Sequence, residues 1–213
     1  MPYEILTPER LARYGNPIVD DKQDIIARYI WNIALSEALY PTLSILEVAL
    51  RNRIDQAIQG HLASDWLEAT STFWLKKQGL EYKKLVETIR YLEPEHNRGH
   101  LVAELTFGFW IGLFKNEYKP LIWNRRKVFD AIFPHCPLKC VDRVSKIRPQ
   151  LRVARILRNR ISHHEAIFDM PRLGETLEEI QQIISWLSSD GILLLSPLDR
   201  FHILYQQGWA AYK

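Results

Sequence analysis

The string Arg158-Asn159-Arg160-Ile161-Ser162-His163-His164-Glu165 gathers two guanidinium groups and two imidazoles at the end of the most basic stretch of the chain. An imidazole, with an unperturbed pKa of ~6.5, takes and gives protons near neutral pH. An arginine stays charged and can hold a phosphate in a planar fork. Those two functions suffice for cleaving RNA. A base takes the proton of a ribose 2′-hydroxyl, the oxygen attacks the adjacent phosphorus, an acid protonates the leaving 5′-oxygen, and a cation stabilises the charge gathering on the phosphate. That route calls for no metal. The same residues also suit an ordinary helix end, where basic side chains and histidines complement the exposed carbonyls. Composition leaves both readings open.

Geometry sets a condition on the first reading. Residues five apart on an ideal helix differ by about 140° in direction, so Arg158 and His163 do not share a face, whereas Asn159 and His163, four apart, do. A curled arginine, a helix end between the two, or a second protomer would complete the pair. His164 lies five residues beyond Asn159 and four beyond Arg160 and competes with His163, which is the expected working imidazole.

Charge is segregated along the chain. Residues 1–114 hold 12 Lys/Arg against 15 Asp/Glu, residues 115–160 hold 13 against 3, and residues 161–213 hold 3 against 7. A middle segment that basic, interleaved with Trp123, Phe129 and Phe133, is what a surface facing a polyanion looks like. Arg143, Lys146, Arg148, Arg152 and Arg155 are its expected RNA contacts, and a solvated face balanced by acidic neighbours is the other reading. Glu47 and Arg51, four apart, either form a helical ion pair or, with Asn52, stand beside the Arg–His cleft. His135-Cys136-x-x-x-Cys140 lacks the second Cys/His pair that structural zinc needs, so no metal and no cofactor are expected. There is no Walker-type phosphate loop and no dinucleotide fingerprint. The seven tryptophans are scattered and read as core and interface anchors rather than base-stacking platforms.

The elements that must carry these residues are helical almost throughout. Apolar spacing predicts helices over residues 20–39, 41–58 (opened by Pro41 and ended near Gly60), 80–92, 101–115, 120–133, 141–164 with Pro149 kinking or restarting it, 173–187 closed by Asp190-Gly191, and 197–207. Residues 96–100 read as a loop. No strand-length alternation is present, so the expected fold is all-α: a single-domain helical bundle over 1–213 with peripheral helices around a core at about 20–190. Leu-Arg-Asn-Arg-Ile occurs at 50–54 and again at 157–161, but the flanks do not match.

With 47% hydrophobic and 25% charged residues the composition is that of a folded domain. The N-terminal residues lack a signal-peptide pattern, the longest uncharged apolar run (105–114) is far short of the ~20 residues a spanning helix needs, and two cysteines fit a reducing compartment. A cytoplasmic protein with no membrane partner is expected.

Arg158-Asn159-x-x-x-His163 resembles the Arg-Asn-x-x-x-His signature of HEPN-domain ribonucleases, in particular their abortive-infection (Abi-like) branch. Ser44-Ile45-Leu46-Glu47-Val48-Ala49-Leu50-Arg51-Asn52 is similar to that branch's early Glu-x-x-Leu-Arg-Asn helix. Leu105-Thr106-Phe107-Gly108 resembles its Leu-Ser-Phe-Gly element, and His163-His164-Glu165-Ala166-Ile167-Phe168 its His-His-Glu-Pro-Ile-Phe, departing at Ala166. The likeness covers about residues 30–170 in order. It implies a HEPN-like bundle that dimerises, pairs the Arg–His segments of two protomers across one cleft and cuts RNA without metal, in phage defence or as a toxin, with an antitoxin or regulatory RNA as further partner. By that likeness Arg158 binds the phosphate, His163 serves as general base or acid, and Asn159 orients the site; Arg160 and His164 are additional candidates. A non-catalytic helical dimer that binds RNA or protein is the competing expectation.

Overall fold

The computed structural model describes residues 5–74, 79–92, 97–137 and 143–213, and these form an all-α fold with no strand among them. The helices are α1 (Pro8–Leu11), α2 (Lys22–His61), α3 (Leu80–Tyr91), α4 (Arg98–Glu104), α5 (Phe107–Gly112), α6 (Arg126–Ile132), α7 (Arg143–Ser162), α8 (Leu173–Leu187), α9 (Ser189–Leu195) and α10 (Phe201–Gln207). A 3₁₀ turn (Asn116–Tyr118) runs into a π-helical turn (Lys119–Trp123) before α6, and a 3₁₀ turn (Trp209–Tyr212) ends the chain.

The spine is α2, against which α5, α6, α7, α8 and α10 pack. Leu35, Leu39, Leu43, Leu46, Leu50, Ile54 and Ile58 recur at three- and four-residue steps and are all buried. That unbroken stripe explains the first correction to the sequence reading: Pro41 does not open a second helix but sits inside one helix of 40 residues. An internal proline removes one hydrogen bond and crowds the carbonyl four residues back, at a cost of about 3 kcal/mol. Here the carbonyl is that of Glu37, on the side where Glu37 and Tyr40 are exposed, so water can take the missing donor's place. Burying the leucines on either side, at roughly 1.5–3 kcal/mol each, outweighs the loss. Pro149 is likewise internal to α7 and exposed. One window of α2, of mean hydropathy 1.4, is long and apolar enough to cross a membrane, and 39% of that window is buried inside the fold.

Other boundaries move for local reasons. Asn97 caps α4 by accepting from the His100 amide at 3.0 Å, so residues 97–100 enter a helix rather than a loop, while His96 lies outside the described residues. The predicted 101–115 helix breaks at Leu105-Thr106, where Thr106 caps α5 and the Trp110 indole donates to the Leu105 carbonyl at 3.0 Å. The predicted 120–133 helix divides into the π-turn and α6. Asp190-Gly191 does not close α8. The break is at extended Ser188, and Gly191 lies inside α9 because a Cβ there would press to 2.6 Å from Ile184 Cγ2. The predicted 197–207 helix is a 3₁₀ turn (Ser196–Leu198) followed by α10. The start predicted at Val141 lies outside the described residues.

Trp66, packed against Phe73, Trp74, Phe109 and Trp110, centres an aromatic cluster, in keeping with tryptophans as core anchors. Trp209 differs, being only partly buried beneath Arg28 and Lys213. At the end of α3's buried face, Glu81 is 1% exposed and accepts from Lys115 Nζ at 2.8 Å and from the Tyr118 hydroxyl at 3.0 Å. Burial, and then the Glu81 charge, push the Tyr118 hydroxyl pKa well above the ordinary phenol range. Gly112 lies against this carboxylate, and a Cβ on it would overlap the Glu81 side chain. Gly112→Ala is therefore expected to displace a buried charge from both partners and cost about 3 kcal/mol, read as a lower midpoint in urea with unchanged slope.

Candidate active site

The Arg–His string is the last turn of α7 and the corner beyond it. His163 N donates to the Asn159 carbonyl at 2.9 Å, His164 N to Ile161 at 3.0 Å and Glu165 N to Arg160 at 2.8 Å. The last two bonds are the crossed pair of a Schellman ending, with His164 at the left-handed position (φ 56°) that glycine usually takes. Histidine enters that region more readily than most residues. The corner leaves both imidazoles exposed, and neither has a side-chain hydrogen bond among the described residues.

Beyond the corner, the segment Glu165–Phe168 is clamped from α2. Asn32, 3% exposed, accepts from the Ile167 and Phe168 amides at 2.7 and 3.2 Å and donates to the Glu165 carbonyl at 3.3 Å. Three backbone groups beyond the corner thereby find partners, the Ile167 amide among them in a buried bond. The motif reading missed Asn32; its only sequence signal is an amide among the apolar residues of a core helix.

The three arginine and asparagine candidates diverge. Arg158 turns to α2, where its Nε lies 3.4 Å from Glu47 Oε2. Arg160 turns the other way, donating to the Ala166 carbonyl at 3.2 Å with Glu165 and Asp169 at 3.9 and 3.8 Å. It lines a 380 Å³ pocket with Arg10, Arg13 and Tyr14, whose buried hydroxyl has no hydrogen-bond partner among the described residues and whose pKa burial pushes up against the opposing pull of Arg10. Asn159 and His163 share the exposed face, with no side-chain bond to each other or to the other described residues. Arg158 and His163 are thus held apart on one chain, as the spacing predicts.

Of the remaining candidates, Glu47 stands beside Arg158, and the ordinary Glu47–Arg51 pair does not form. Arg51 instead donates to the Ala103 carbonyl at 3.3 Å, with its Nε buried and unpartnered. Asn52 is exposed and does not join them; five residues beyond Glu47, it points elsewhere. In the basic stretch, Arg143, Arg148 and Arg152 line an open groove of about 1280 Å³ with Lys115, Lys119 and Arg126, and among the described residues no acidic side chain lines it. The three cations from residues 115–126 were not singled out by the sequence reading. Arg143 is bound to Asp130 at 2.8 Å, Arg148 to Asn116 at 3.2 Å, and Arg152 is exposed without an ion pair among the described residues. Lys146 and Arg155 are not part of this groove. Among the described residues no three His, Cys, Asp or Glu side chains gather as a metal site; Cys140 lies outside those residues and Cys136 is a free thiol.

Chemically, the corner offers an unengaged imidazole that can exchange protons with solvent or substrate, and one turn before it a guanidinium whose charge a single carboxylate offsets. Comparison with known proteins adds nothing to this geometry: no family model, curated protein or solved structure matches the chain.

Proposed function

We propose that this chain is a metal-independent endoribonuclease of the HEPN type, acting as a homodimer in the cytoplasm. The observation that supports it best is the Schellman corner, which holds His163 exposed and unpaired at the end of the helix that carries Arg158. In this reading His163 takes the 2′-hydroxyl proton, O2′ bonds to phosphorus, the bond from phosphorus to O5′ breaks, and a second imidazole, that of the other protomer, returns a proton to O5′. Arg158 meets the phosphate charge, exchanging Glu47 for it. The products are a 2′,3′-cyclic phosphate and a 5′-hydroxyl. A role in phage defence or as a toxin, with an antitoxin or regulatory RNA as partner, rests on the motif likeness alone.

The test is incubation of the purified protein with mixed RNA in EDTA, followed by end-group analysis. Cleavage that survives the chelator and leaves cyclic or 3′-phosphate ends is expected; 3′-hydroxyl ends, or activity abolished by chelation, would overturn the mechanism. The groove that Lys115, Lys119, Arg126, Arg143, Arg148 and Arg152 line favours a second reading, a helical module that binds RNA without cutting it. Tight RNA binding with no cleavage at any protein concentration would select that reading.

A further inference from the structure

Outside the Arg–His corner, the fold brings unpaired cations together beside Gly108. This glycine lies in α5, partly exposed. A Cβ built on it would lie 3.7 Å from Arg155 Nη1, 3.7 Å from the Thr106 hydroxyl oxygen and 3.8 Å from Lys84 Nζ. Two cations from separate helices, α3 and α7, thus converge on one point. Neither has an ion pair or hydrogen bond to its charged group among the described residues, and the Arg155 Nε is buried without a partner.

Nothing in the fold asks for glycine here. The backbone is ordinary right-handed helix, and every neighbour of the added Cβ is at normal contact distance, so an alanine would fit. Glycine inside a helix is less stable than alanine, and a bare Cα is of use where a ligand approaches the backbone. Like charges this close repel, a cost that an anion seated between them would remove. Arg155 is about one turn before Arg158 on α7.

We infer that Gly108, Thr106, Lys84 and Arg155 form a seat for one backbone phosphate of a nucleic-acid strand, next to the phosphate that Arg158 would hold. The inference deepens the ribonuclease reading and rests on it, since the seat fixes where the strand lies relative to His163. It gives Arg155, expected from the sequence as one RNA contact of the basic stretch, this separate contact and adds Lys84, which lies outside the basic stretch altogether.

The test uses a short fluorescent 2′-deoxy single strand, which has no attacking hydroxyl and cannot be cut by the proposed route, titrated into the full-length protein at several salt concentrations. Lys84→Gln and Arg155→Gln are each expected to weaken binding about tenfold at low salt and to flatten the salt dependence by about 0.7 in the log–log slope. Gly108→Ala is the discriminating variant: weaker binding together with an unchanged or higher melting temperature. Unchanged affinity in the Lys84→Gln/Arg155→Gln double variant would overturn the seat, as would a Gly108→Ala protein that melts lower, because the glycine would then serve the fold. Cleavage of the ribo strand by the wild type is scored separately. Binding that depends on these residues without cleavage keeps the seat and removes the ribonuclease reading; cleavage with no dependence on them does the reverse.

Discussion

His163→Ala is expected to lower RNA cleavage by about 10²–10⁴-fold while the helical circular dichroism and melting temperature stay near wild type. The imidazole is exposed and has no side-chain bond among the described residues, so its removal costs the fold nothing that can be named. Arg158→Ala should be equally inactive. Its stability cost is small because the Glu47 pair is partly open to water, with Arg158 39% exposed. Arg158→Lys should remain poor, since an ammonium cannot offer two parallel donors to a phosphate. The adjacent imidazole supplies the control. His164 is held in the left-handed region, so His164→Ala adds backbone strain of about 1 kcal/mol and confuses loss of a base with loss of the corner. His164→Gly relieves that strain and should keep full activity. A dead His164→Gly protein beside an active His163→Ala protein would reverse the assignment within the pair.

The helical class was legible because apolar residues recur at three- and four-residue steps, most cleanly in α8, whose boundaries the sequence reading places at 173 and 187. Pro41 and Gly191 misled where tertiary packing overrode local preference. Pro41, partly buried, is tolerated inside α2, and Gly191 answers to Ile184 rather than to a helix end. Within the site, spacing alone separated Arg158 from His163 and joined Asn159 to His163. It could not assign a partner to Glu47, because Arg51 at four residues and Arg158 more than a hundred residues away are equally good partners for its charge until the helices are packed. Asn32 and Lys84 carry no motif; their neighbours come from other helices, and a one-dimensional pattern holds no record of them.

If the proposed site is shared by two chains, activity per chain is expected to fall about tenfold for each tenfold dilution below the dissociation constant of the proposed dimer. Arg158 is drawn to Glu47 on α2, while His163 stands exposed beyond the end of α7. The exposed stripe Arg152, Ile156, Asn159 and His163 recurs at three- and four-residue steps, and its one large apolar side chain, Ile156, is 42% exposed. A two-fold axis along that stripe would set the two His163 copies opposite each other, with Ile156 against its own copy. The same axis would crowd both sets of arginines, a repulsion that a bound polyanion would offset, so the proposed dimer is expected to be weak when free and to be strengthened by RNA by the factor by which dimerisation strengthens RNA binding. Sedimentation of the His163→Ala protein with and without a short RNA measures that factor. Ile156→Asp, at a position already open to water, should fold normally, fail to dimerise and fail to cut. A protein that cleaves at a rate strictly first-order in its concentration, down to where only monomer sediments, would refute the composite site and leave each chain to bring its own Arg158 round to its own His163.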